Sequence, residues 1–249
     1  MKKIVYSIAT LFVTFILFSG CNNEVVQDDL PNGNIKQSVN PYEYIGELHN
    51  EMLLEWADYN NGVDSGMFDS TKIESIVEWV STKVDPVDGI NPYEYLNFSY
   101  EMYSEDFTLT EFATDLFNND EVSAIAKNYL IELEEIVLSS GSDISLFLDE
   151  IIVYETKVGN IDLTAKEHLI LLSAASIARN SLSFWYEANN NPSHPYHVLF
   201  ANSRKINIWW KIGIVDICGG VMGGLWGGPW GIVIGAGICS GLVVLVSNV

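Results

Sequence analysis

The chain reads as all-α: an irregular helical bundle with a C-terminal, Gly-rich hydrophobic helical hairpin. Three observations predict this. Apolar residues recur at helical spacing from about 41 to 187. No segment between turn signals alternates with period two over the length of a strand. Near the C-terminus, glycines recur every fourth residue, which places them on one face of a helix.

The elements follow in chain order. Met1-Lys2-Lys3 is a basic start, and Ile4 to Phe18 is an uncharged, mostly apolar run. Small residues follow at Ser19-Gly20, then Cys21. Together these have the layout of a secretory signal over 1–20. Phe18-Ser19-Gly20-Cys21 resembles the lipobox of bacterial lipoproteins, with Phe18 where that family usually has Leu. The resemblance implies cleavage before Cys21, a diacylglycerol on its sulfur and acylation of the new N-terminus, palmitate included. It also implies a place in the cell envelope, at the outer membrane.

Residues 21–40 are polar, with Asp28, Asp29, Pro31, Gly33 and Asn34, and read as an acidic flexible tether. The stretch after Cys21 is loosely similar to the surface-export signal of Bacteroidetes lipoproteins.

Residues 41–203 read as an acidic helical domain of about six helices. Ile45, Leu48, His49, Met52, Leu53 and Trp56 form one stripe, which Asn60-Asn61-Gly62 stops. Ile73, Ile76, Val77 and Val80 repeat the pattern behind a cap at Asp69 or Ser70. Val122, Ile125, Ala126, Tyr129, Leu130, Leu133, Ile136 and Val137 give the cleanest stripe. Ile144–Val153 is a further helix. Thr164-Ala165-Lys166-Glu167 is a capping box opening a helix to about Tyr186. Asn-Pro-Tyr-Glu-Tyr occurs at 40–44 and again at 91–95. It reads as a reused helix entry, with Asn as cap and Pro at the first helical position.

Residues 204–249 read as a glycine-zipper membrane hairpin. Between Ile212 and Val249 there is one charge, Asp216, among eleven glycines. Gly219, Gly223, Gly227, Gly231 and Gly235 form the ladder, with Gly220, Gly224 and Gly228 in a second row. Glycine costs about 1 kcal/mol in an exposed helix interior, so a ladder in register implies close packing on it. In lipid, such packing drives helix association. Gly228-Pro229 sets either the turn of a hairpin, the preferred reading, or a kink in one long helix. Folded back there, Cys218 and Cys239 meet at one level, where a disulfide could form without being implied. Trp209, Trp210 and Lys211 suit a water–lipid interface. The same residues also suit a hairpin buried in the bundle, with the tryptophans as core.

The segment resembles the glycine-zipper, two-helix lipoproteins of Gram-negative outer membranes. Glycine ladders also occur in pore-forming toxins and bacteriocins. Gly46-Glu47-Leu48-His49-Asn50 with Leu53, Ser176-Ile177-Ala178-Arg179-Asn180-Ser181 with Trp185, and Asp216 are together similar to a group of uncharacterised Bacteroidetes lipoproteins. That resemblance implies an exported all-helical protein.

Charge narrows the function classes. Removing 1–20 strips two of the 12 basic residues and none of the 33 acidic ones. Such a surface repels phosphate backbones, so nucleic acid is not an expected partner. The three cysteines make no disulfide framework and no zinc pattern. GxSxG, HExxH, a phosphate loop and a nucleotide fingerprint are all lacking. No enzyme activity, catalytic residue, metal or cofactor is expected.

Among polar residues, His49 with Asn50 reads as a satisfied core pair. His194 and His197 are too few for zinc, and His168 is expected to face solvent. Asp85, Asp88, Gly89 and Asn91 read as a turn. Arg179 is expected in a structural ion pair. The expected function is a lipid-anchored envelope protein with a structural or partner-binding role, self-associating through the ladder. Its partners would be membrane lipid, further copies or an envelope protein. The alternative is a membrane-active toxin inserting its Gly-rich segment.

Overall fold

A computed structural model gives the fold. It describes residues 40–59, 78–79, 82, 122–140, 143–201 and 208–247. The signal, Cys21, the tether up to residue 39, the Asn60-Asn61-Gly62 stop, the Ile73–Val80 stripe apart from Glu78 and Trp79, the second Asn-Pro-Tyr-Glu-Tyr and the Asp85–Asn91 turn all lie outside these residues.

The chain is all-α. Among the described residues the helices are α1 (Glu43–Tyr59), α2 (Ala124–Ser140), α3 (Ile144–Gly159), α4 (Ala165–Asn190), the single turn α5 (Val198–Ala201) and α6 (Ile208–Ser247). Each long helix follows from its stripe. In α1 the buried set is Ile45, Gly46, His49, Leu53, Trp56 and Ala57. In α2 it includes Ala126, Leu130, Leu133 and Val137. Asp143 caps α3 by accepting the Ser145 and Leu146 N–H groups, each at 3.1 Å.

The Thr164–Glu167 capping box forms as read. It does more than start a helix. The Glu167 carboxylate also accepts the Ser123 N–H at 2.8 Å, which ties the start of α4 to the start of α2.

Helix α4 is the axis of the bundle and touches every other described helix. Ile170 to Ala178 is buried without interruption. A helix buried on all sides needs no polar face. Its most extensive neighbour is α6.

Helix α6 is broken at Gly228, whose φ of 60° and ψ of −149° are non-helical. Glycine takes this conformation without a Cβ clash. The two halves fold back into a hairpin, with Gly219 against Gly235 and Gly223 against Gly231, backbone on backbone. The crossing is therefore centred near Gly227, just before the sharp turn. The second glycine row has a different neighbour. Gly220 and Gly224, with Gly213 ahead of them, lie on Ile177, Ile170 and Leu182 respectively, so the first arm runs antiparallel to α4. Gly237 of the second arm meets Met52 of α1.

Residues 37–249 form one compact unit. In the second arm the chain is buried without a break from Gly231 through Ser240. Among the described residues no helix is long and apolar enough to cross a membrane. Helix α4 offers a continuous apolar face at the height of the second glycine row.

Candidate functional site

Asp216 is the one charge in the hairpin's apolar stretch, and it sits at the junction of both arms with α1 and α4. Its exposure is 0%. Oδ2 accepts the Trp185 indole N–H at 3.0 Å and the Ser181 hydroxyl. Oδ1 lies 2.5 Å from Ser240 Oγ on the second arm. Ser240 Oγ is in turn 3.0 Å from His49 Nε2 on α1. His49 Nε2 stands 3.7 Å from Asp216 Oδ2. The other ring nitrogen, Nδ1, faces Asn50 Oδ1 at 3.0 Å. The Asn50 amide is oriented because its Nδ2 donates to the Asn180 carbonyl at 3.0 Å.

Burial raises the Asp216 carboxyl above the ordinary carboxylate range, against the opposing pull of His49, Ser181, Ser240 and Trp185. Buried polar groups on this scale persist only when partnered, and each member here has a partner.

A second cluster lies beside the first. Gly46 lets α1 approach α4 closely, and its N–H donates to Ser176 Oγ at 3.1 Å. Ser176 donates to the Glu43 carbonyl at 2.8 Å. Arg179 pairs with Glu155 at 3.2 Å and with Glu43. Asn40 donates to Glu155 at 2.8 Å and to the Leu172 carbonyl at 2.7 Å. Asn40 also accepts the Tyr42 N–H at 2.9 Å. It is thus a pin between the entry to α1 and the core as well as a turn former. The structural ion pair expected of Arg179 is present.

The three segments that carried the Bacteroidetes resemblance converge here. Gly46, His49 and Asn50 come from α1; Ser176, Arg179, Asn180, Ser181 and Trp185 from α4; Asp216 from α6. Ser240 and Glu155 escaped the sequence reading. Ser240 is one serine in an apolar run, with no local pattern to mark it.

The chemistry available is limited by access. Serine, imidazole and an orienting amide are the groups of a nucleophile–base–orienter array. Here Ser240, His49 and Asp216 are all at 0% exposure. No substrate atom reaches them in this conformation. A surface crevice is lined by Val137, Ser140, Asp143, Ile144, Phe147, Leu182 and Trp209, and His49 is not among its walls.

Other expected residues fall as follows. Gly219, Gly223, Gly231 and Gly235 pack as a ladder, but within one chain. Their faces meet across the hairpin itself. Gly227 is half-buried, and Gly228 and Pro229 make the turn. Trp209 is buried at 4% exposure, and its ring meets Tyr186 edge-on at 5.5 Å. Lys211 is exposed, and the Trp210 side chain lies outside the described set. Cys218 and Cys239 are buried thiols. Burial, with Cys239, Glu134 and Asp216 nearby, pushes the Cys218 thiol well up.

His168, expected in solvent, is half-buried, with Nε2 3.2 Å from the Val158 carbonyl near the end of α3. His197 Nδ1 is 2.9 Å from the Ala188 carbonyl, and the His194 ring packs on Phe184 at 4.7 Å. Both histidines hold the loop after α4. Among the described residues no group of three or more His, Cys, Asp and Glu is placed to hold a metal ion. No protein-family model, curated protein or solved structure matches this chain.

Proposed function

We propose that this chain is a lipid-anchored protein of the bacterial cell envelope, at the outer membrane. It meets lipid through acylated Cys21 and has a structural or partner-binding role carried by its helical body. The lipobox-like Phe18-Ser19-Gly20-Cys21 supports the anchor. One structural observation shapes the rest: Gly219 and Gly223 lie against Gly235 and Gly231 of the same chain. A ladder used internally makes the hairpin the centre of the body. The acyl chains then become the main membrane contact. Stable anchoring takes more than one such chain, and the lipobox resemblance implies several on Cys21.

Fractionation of a Cys21→Ala variant tests this reading. The variant is expected in the carbonate-soluble fraction. Retention in carbonate-washed membranes would refute the single-anchor picture.

A membrane-active toxin is the second reading, and one observation favours it. The two arms are apolar nearly all round, yet they are packed against α4, α1 and α2 of the same chain. Dye leakage from liposomes treated with the full mature chain would support it.

A further inference from the structure

We propose that His49, Ser240 and Asp216 form a one-proton latch, and that loss of the shared proton at raised pH unseats the hairpin from α1 and α4. The argument starts from the Ser240 hydroxyl, which has one hydrogen and two buried neighbours, His49 Nε2 at 3.0 Å and Asp216 Oδ1 at 2.5 Å. His49 Nδ1–H donates to Asn50 Oδ1, whose orientation the Asn180 carbonyl fixes.

Two proton arrangements then satisfy every group. In one, Nε2–H donates to Ser240, and Ser240 donates to an ionised Asp216. In the other, protonated Asp216 donates to Ser240, and Ser240 donates to a neutral His49. They interconvert when Ser240 passes its proton one way and receives another from the opposite side. One N–H and one O–H bond exchange places, and the net charge stays zero. Removing the shared proton leaves Nε2 and Oδ1 both needing the single Ser240 hydrogen, beside an uncompensated buried charge.

The surroundings do not relieve that state. From α4 the facing groups are Ser181 and Trp185, neither of which can neutralise a carboxylate. Arg179 of α4 is engaged with Glu43 and Glu155. From α6 the Cys218 thiol lies near Asp216, and Cys239 and Glu134 of α2 lie near that thiol in turn; each would add negative charge if ionised. From α1 it is His49 itself.

The sign follows from Asp216. Its folded value is raised, so its contribution is full below the unfolded carboxylate range, about 4. That contribution is lost as pH rises through the raised value. Because Asp216 and Ser240 stand on different arms, the loss falls on hairpin seating first.

The test is amide exchange of the full mature chain, corrected for intrinsic rates, between pH 5 and 9. Protection across 212–240 is expected to fall tenfold for each unit by which the Asp216 value is raised. Asp216→Asn carries a fixed N–H in place of the shared proton, and its protection is expected to stay level. A wild type with pH-independent protection, or an Asn variant that falls in parallel, overturns the latch. Should that variant not fold, carboxyl ¹³C shifts of the wild type decide. A carboxyl signal that moves between pH 5 and 9 supports the latch, and one that stays fixed across that range overturns it.

Discussion

A methyl group at Gly223 should separate the hairpin's arms. The Cβ of an alanine there would run into the Gly231 carbonyl and the Ile232 amide nitrogen. All of these are backbone atoms, so no side chain can swing aside. Overpacking of this kind costs about 1–3 kcal/mol, and a backbone-only contact belongs at the upper end. Alanine's better helix propensity returns about 1 kcal/mol. The expected net loss is about 2 kcal/mol, or a Tm lower by roughly 4–8 °C in a chain of this size. Gly159→Ala is the matched control, because nothing lies within 4 Å of a Cβ at that position. It should be neutral or gain up to about 1 kcal/mol. The assay is urea unfolding followed by circular dichroism, with the slope checked for constancy. A Gly223→Ala protein as stable as the wild type would refute the contact between arms, and with it the hairpin's register.

Three further outcomes follow. Arg179→Met takes the guanidinium away from Glu155, which is at 3% exposure; because Asn40 still donates to that carboxylate, a loss near about 3 kcal/mol is expected in chemical denaturation. Burial opposes ionisation of Glu167, but hydrogen bonds from Ser123 and Thr164 outweigh it and hold the carboxyl down at about 2. Its contribution is therefore present above the unfolded range and lost as pH falls toward about 2, so Glu167→Gln should flatten the stability profile between pH 5 and 2. Cys218 and Cys239 are buried, and burial raises the Cys218 thiol; a thiol reagent should react with the native protein slowly and with the urea-unfolded protein at once.

The helices were legible because each long one carries its own stripe and its own start or stop signal, as Asn60-Asn61-Gly62 after α1 and Thr164–Glu167 before α4 illustrate. The glycine ladder was legible as close packing. Its partner was not, and the reason is physical. An arm that is apolar all round satisfies the pattern of a membrane helix and of a buried core helix equally. Glycine reports that a backbone comes near, not whose backbone it is. The register of Gly219 with Gly235 needs the turn at Gly228, which the Gly-Pro pair marks. The seating on α4 needs Ile170, Ile177 and Leu182, far upstream and outside any local pattern. Asp216 is the residue that separates the two environments. In hydrocarbon, a lone carboxyl between glycine rows would need partners from another chain. In this fold Ser181, Trp185, Ser240 and His49 all reach it from within. No local spacing links those four residues to Asp216. They were recruited by topology, and a polar group in an apolar helix is best read as a demand for such partners before it is read as an anchor.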